Sequence, residues 1–207
     1  MTTGLDFEGV LKFLAWRWSV PTDPELALLR QKLLTYRPVG IITYDLQDYV
    51  QLDHPAVIGG SQGVGDSYHV APPIPRDEVE ADMIAALVSY GTCGFLTTAL
   101  IEFYSLFPHL REDFETCGHF IPPKGWKSLA EHMEDVFTPA ELGDWHEALL
   151  IYNARNGDMV VLSPTGGVAW YRLSENEIVP IADSFSGFLH YFIEYMDNRW
   201  PLDSFGP

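Results

Sequence analysis

Between Glu147 and Asn198 the apolar and polar positions fall into blocks that predict a strand meander closed by a helix. Leu149-Leu150-Ile151-Tyr152 is an apolar, strand-like run, and Asn156-Gly157 after it tolerates the positive φ of a tight turn. Met159-Val160-Val161-Leu162 runs back, Pro164-Thr165-Gly166-Gly167 turns the chain, and Val168-Ala169-Trp170-Tyr171 makes a third strand. Ser174 to Glu177 is a polar break before Ile178-Val179-Pro180-Ile181. Asp183 and Ser184 offer capping oxygens to a helix over 184–197. In that helix Phe185, Phe188, Leu189, Phe192, Ile193 and Met196 recur at i, i+3, i+4, i+7, i+8 and i+11. This single stripe must be buried, and the meander is the nearest surface for it.

Upstream the pattern is more helical. Leu5 to Trp18 is partly periodic, and Asp23-Pro24 predicts a capped helix that carries Leu26, Leu29, Leu33 and Leu34 before Pro38 stops it. Val39 to Tyr44 predicts a strand, with Tyr49–Leu52 and Ala56–Ile58 as weaker ones. Gly59 to Pro75, dense in glycine and proline, reads as a loop. Arg76 to Ser89 predicts a helix with Val79, Met83 and Leu87 inward and acids over its positive end. Leu96 to Leu106 and Ser128 to Val136 predict two more, and Thr138-Pro139-Ala140-Glu141 is a helix start signal. His109 to Pro123 fits no period.

The stretch from Asn156 to Met196 resembles the C-terminal half of SUKH-superfamily domains, a group that includes a yeast cell-wall-synthesis regulator and many bacterial immunity proteins. The resemblance rests on Gly157-Asp158 leading into a hydrophobic strand, the aromatic-bearing strand with Trp170-Tyr171, and the closing helix start Ser184-Phe185-Ser186-Gly187-Phe188-Leu189. It implies an α+β domain, with no cofactor, that binds and neutralises a toxin.

Charge bears on that expectation. The formal net charge of −17 repels nucleic acid and anionic membranes and speeds encounter with a basic protein. Nucleases are commonly basic because they bind phosphates, so an acidic inhibitor of one makes physical sense. The hydrophobic content of 47% supports a substantial core. No apolar run approaches a membrane span, and Asp6 and Glu8 stand where a secretory signal would be basic. Cys93 and Cys117 read as reduced thiols of a cytoplasmic protein.

Two enzymatic or metal-binding alternatives exist. Gly59-Gly60-Ser61-Gln62-Gly63 fits the G-x-S-x-G nucleophile elbow, with His146 or His190 as base, which would make a small serine hydrolase. The following Val64-Gly65-Asp66 and Pro72-Pro73 do not suit the helix that such an elbow requires, so a surface loop is the better reading. Cys93, Cys117 and His119, with His109 or His69, carry zinc chemistry, but neither cysteine sits in a close pair. No metal is expected.

The sequence therefore predicts one α+β domain over 1–207 with an N-terminal helical elaboration (1–38). Its antiparallel meander should have about four to six strands, packed against helices. The expected function is non-enzymatic: an acidic surface of Glu134, Asp135, Glu141, Asp144 and Glu147 would occlude a basic toxin cleft. Trp126, after Pro122-Pro123 and beside Lys124 and Lys127, reads as an exposed anchor on that surface. Trp145 and Trp170 read as core residues.

Overall fold

The structure is a computed structural model that describes residues 20–44, 46–53, 67–90, 96–113, 118–133, 145–154 and 156–198. The elements expected over Leu5–Trp18, Ala56–Ile58 and Thr138–Glu141 lie outside these residues, as do Ser61, Cys93 and Cys117.

Asp23 Oδ1 accepts from the Leu26 N–H at 3.0 Å and starts α1 (Pro24–Thr35), with proline in its first turn where no intrahelical donor is needed. Tyr36 ends the helix in an extended conformation and passes the chain into β1 (Arg37–Tyr44). β2 (Gln47–Asp53) and β3 (Ser67–Val70) follow, then α2 (Arg76–Ser89) and α3 (Thr98–Leu106). Next come β4 (Leu110–Asp113), β5 (His119–Phe120), a 3-10 turn (Pro123–Gly125) and α4 (Leu129–His132). The expected meander is β6 (Leu149–Asn153), β7 (Met159–Leu162), β8 (Val168–Arg172) and β9 (Glu177–Ala182), and α5 (Phe185–Asn198) closes it.

Among the described residues the strands form one antiparallel sheet of nine, each paired with its sequence neighbour in the order β1 to β9. The class is α+β, as expected, but the strand count exceeds four to six. The additional strands are short. Ser67–Val70 falls inside the stretch read as a loop, yet its four residues are all buried between β2 and β4. β4 and β5 come from the segment that fits no period. Strands of two to four residues are too short for alternation to register, and neighbour pairing defines them.

The sheet has two apolar faces. Tyr68, Phe120, Tyr152, Val160 and Trp170 point to the face shared with α1, α2, α3 and α5, where Leu26, Val79, Phe103 and Phe192 complete the main core. Leu150, Val161, Ala169 and Tyr171 point the other way, against Leu129 and Met133 of the α4 region. With both faces covered, β6, β7 and β8 read as continuous apolar runs. A register shift between Leu150 and Tyr152 puts Ile151 and Tyr152 together on the main core side. Each outer strand carries a proline and an irregular register: β1 shifts between Pro38 and Gly40, and β9, with Pro180, shifts against β8 at Val168/Ala169.

The start of α1 is tied to α3. Glu102 accepts from the Thr22 N–H at 2.9 Å and the Thr22 hydroxyl at 2.8 Å, and Arg76 reaches it at 3.5 Å. Leu26, Leu29 and Leu33 thereby belong to the main core.

Candidate functional site

Leu110 and Glu112 share the inward side of β4, so alternation alone carries a carboxylate into the main core. Glu112 is 1% exposed. Its Oε2 accepts from the Tyr152 hydroxyl at 2.8 Å and the Tyr195 hydroxyl at 3.2 Å, and its Oε1 faces the Tyr68 hydroxyl at 3.5 Å. β3 supplies Tyr68 in direct register with Glu112, β6 supplies Tyr152, and α5 supplies Tyr195. Tyr36, at the end of α1, packs edge-on against Tyr68 with centroids 5.5 Å apart. Four elements of the fold meet at one carboxyl group through its hydrogen bonds, counting its own strand.

Gly118 makes this possible. Its carbonyl accepts from the Glu112 N–H at 2.8 Å, and a Cβ on it would overlap the Tyr152 hydroxyl. Only a residue without a side chain lets the phenol reach the carboxylate here.

Burial pushes the Glu112 carboxyl up to about 7, against the pull of the three phenol hydrogen bonds toward the charged form. Burial likewise drives the Tyr68 hydroxyl well above its ordinary range, with the Glu112 charge adding to it. All three phenols bonded to Glu112 are buried. The cluster holds a proton near neutrality but presents no face to a substrate, so its chemistry is that of a pH-responsive tie within the core.

The exterior differs in character. α2 turns Val79, Met83 and Leu87 inward, while Asp77, Glu78 and Glu80 are exposed at its first turns. Several of the cations are held by neighbouring acids: Arg37 by Asp53 at 3.3 Å, Lys124 by Asp82 at 3.1 Å, and Arg172 by Glu175 at 3.2 Å. Elsewhere a cleft of about 180 Å³ lies where the capped starts of α3 and α5 meet the β7–β8 turn, with Thr97, Thr165, Asp183 and Ser184 among its lining residues.

Glu147 is exposed, 3.5 Å from His146. Glu134, Asp135, Glu141 and Asp144 lie outside the described residues. Trp126 corrects an expectation: it is 3% exposed, its indole N–H donates to the Ile121 carbonyl at 3.0 Å, and its ring packs edge-on to Tyr104. The flanking prolines and lysines suggested a surface loop, but the 3-10 turn folds the ring inward while Lys124 and Lys127 stay exposed. Trp170 is buried on the main core face, and Trp145 packs partly buried against the second cluster. His190 is solvent-facing, between Glu25 at 3.4 Å and Glu194 at 3.5 Å. His69 and His119 both pair in register with Arg111, whose charge helps hold the His119 imidazole below its ordinary range after desolvation.

No family model, curated protein or solved structure matches this chain.

The Glu112 cluster was missed by sequence reading because it lies in the unassigned segment His109–Pro123. The signal present was Leu110-Arg111-Glu112, which on a strand puts the acid in phase with the leucine. The partners Tyr68, Tyr152 and Tyr195 are 40 to 83 residues away in sequence and leave no local trace.

Proposed function

We propose that this chain is a non-enzymatic binding protein that captures a basic protein partner and neutralises it, as its resemblance to SUKH immunity proteins implies, with a nuclease toxin as the class of partner. The observation that carries the reading is the distribution of charge. Arg37, Arg76, Lys124 and Arg172 are already paired with the protein's own acids, whereas Asp77, Glu78, Glu80 and Glu147 stand exposed around a net charge of −17. Such a surface attracts a basic protein and repels nucleic acid, so it acts on a nucleic-acid enzyme by competing with its substrate. The test is affinity capture from host lysate at low and high salt, followed by a nuclease assay of the captured protein with added chain. A stoichiometric basic protein, released by salt and inhibited by the chain, is expected. Absence of a stoichiometric partner at both salts refutes the reading.

A further inference from the structure

Helix α2 is apolar on two opposite sides. Val79, Met83 and Leu87 face the main core and are essentially inaccessible. On the far side Ala81, Ile84, Ala85 and Val88 are all exposed, Ile84 by 45% and Val88 by 63%. Their spacing of i, i+3, i+4 and i+7 is that of a packing stripe. A surface helix of a closed domain needs one apolar side; a second is a seat for something else. The two alanines let a partner backbone come close, and Ile84 and Val88 stand as knobs between them.

Charge defines the occupant. Asp77, Glu78 and Glu80 are exposed at the opening of the same helix, and no basic residue lies in its last turn. Two cations at this helix are engaged, Arg76 of its first turn with Glu102, and Lys124 with Asp82. A second copy of this chain would bring like charge against these acids across a net −17 on each side. Strand addition is disfavoured as well, since both outer strands carry a proline and an irregular register. We infer that the Ala81–Val88 face of α2 is the docking surface for an amphipathic helix of a basic partner, about three turns long, whose Lys or Arg residues lie over Asp77, Glu78 and Glu80. This rests on the proposed function and names its contact surface.

The test uses synthetic helical peptides with the full chain. One carries a leucine stripe flanked by lysines, and the other has the same composition with the stripe scrambled. Binding is read by fluorescence anisotropy at low and high salt, with circular dichroism confirming that each variant is folded. The striped peptide should bind the wild type more tightly than the scrambled one. The double variant Ile84→Glu, Val88→Glu should weaken it by about tenfold. That variant is more negative than the wild type, so bulk charge attraction alone predicts equal or tighter binding, and that outcome overturns the proposal. Asp77→Lys with Glu80→Lys should weaken binding and flatten its salt dependence; unchanged binding again overturns it. A wild-type dimer in sedimentation that Ile84→Glu, Val88→Glu dissolves would make a second copy the occupant instead. Lysate capture separates the two readings. A partner captured equally by the Ile84→Glu, Val88→Glu variant refutes this surface alone, whereas an absent partner with intact striped-peptide binding refutes the functional reading alone.

Discussion

Replacing Glu112 with glutamine should remove a distinct component of the pH dependence of stability. In the fold the carboxyl titrates at about 7, against an ordinary value of 4.5. Between those values the folded state binds a proton that the unfolded chain has lost, so stability falls as pH rises. The contribution is fully present below about pH 4.5 and is lost as the pH rises through about 7. The difference corresponds to about 3 kcal/mol, reasonable for a side chain 1% exposed. Glutamine keeps an oxygen for the Tyr152 and Tyr195 hydroxyls and places its amide near the Tyr68 oxygen, but it does not titrate. The assay is urea denaturation of both proteins from about pH 5 to about pH 8, followed by tryptophan fluorescence. Subtracting one profile from the other cancels every other titrating group. Relative to the wild type, the variant should gain about 2.5 kcal/mol across that range, part of the total being already lost at pH 5. A pH-independent difference would refute the raised carboxyl. A difference of opposite sign would show that the phenol hydrogen bonds outweigh desolvation.

Gly118→Ala drives a methyl group into the place of the Tyr152 hydroxyl and should cost about 3 kcal/mol in denaturant titration. Adding Tyr152→Phe should cost less on that background than alone, because the methyl overlaps the ring as well as the hydroxyl and already displaces the phenol from Glu112; strictly additive costs would contradict the geometry. Glu102→Ala strips the acceptor from Thr22 and Arg76 and should cost about 2 kcal/mol, with faster amide exchange at the start of α1 as the local readout. Exchange that accelerates uniformly would argue against a local clamp.

The C-terminal half was legible because its information is local. Gly157 and Gly166 adopt φ of +91° and +93° at the two turns, and Ser184 Oγ accepts from the Gly187 N–H at 3.1 Å, so turn and cap chemistry mark each boundary. α1 and α2 were legible for the same reason: Asp23-Pro24 opens one, and Val79, Met83 and Leu87 define the inward side of the other. β3, β4 and β5 were not, because a strand such as Ser67-Tyr68-His69-Val70 acquires its meaning from the strands on either side. Trp126 misled for a related reason: its burial depends on Tyr104 and the Ile121 carbonyl, not on its charged neighbours. The acidic surface expected around α4 is represented among the described residues by Glu147 alone, while the acids of α2 entered the sequence reading as dipole partners rather than as contact residues.

The neighbour-to-neighbour order of the strands bears on how the chain is made. On a ribosome each strand of the described sheet can join the one before it, since no strand waits for a distant partner. Completion is another matter. Tyr195 reaches back 83 residues to Glu112, and α5 packs on α1 and α3 with Phe192 against Phe120. Until α5 is synthesised, the nascent sheet holds an uncovered aromatic face and an acid short of one donor. Cooperative closure therefore waits for α5, and a chain stopped before Phe185 should persist as a chaperone client rather than as a smaller stable domain.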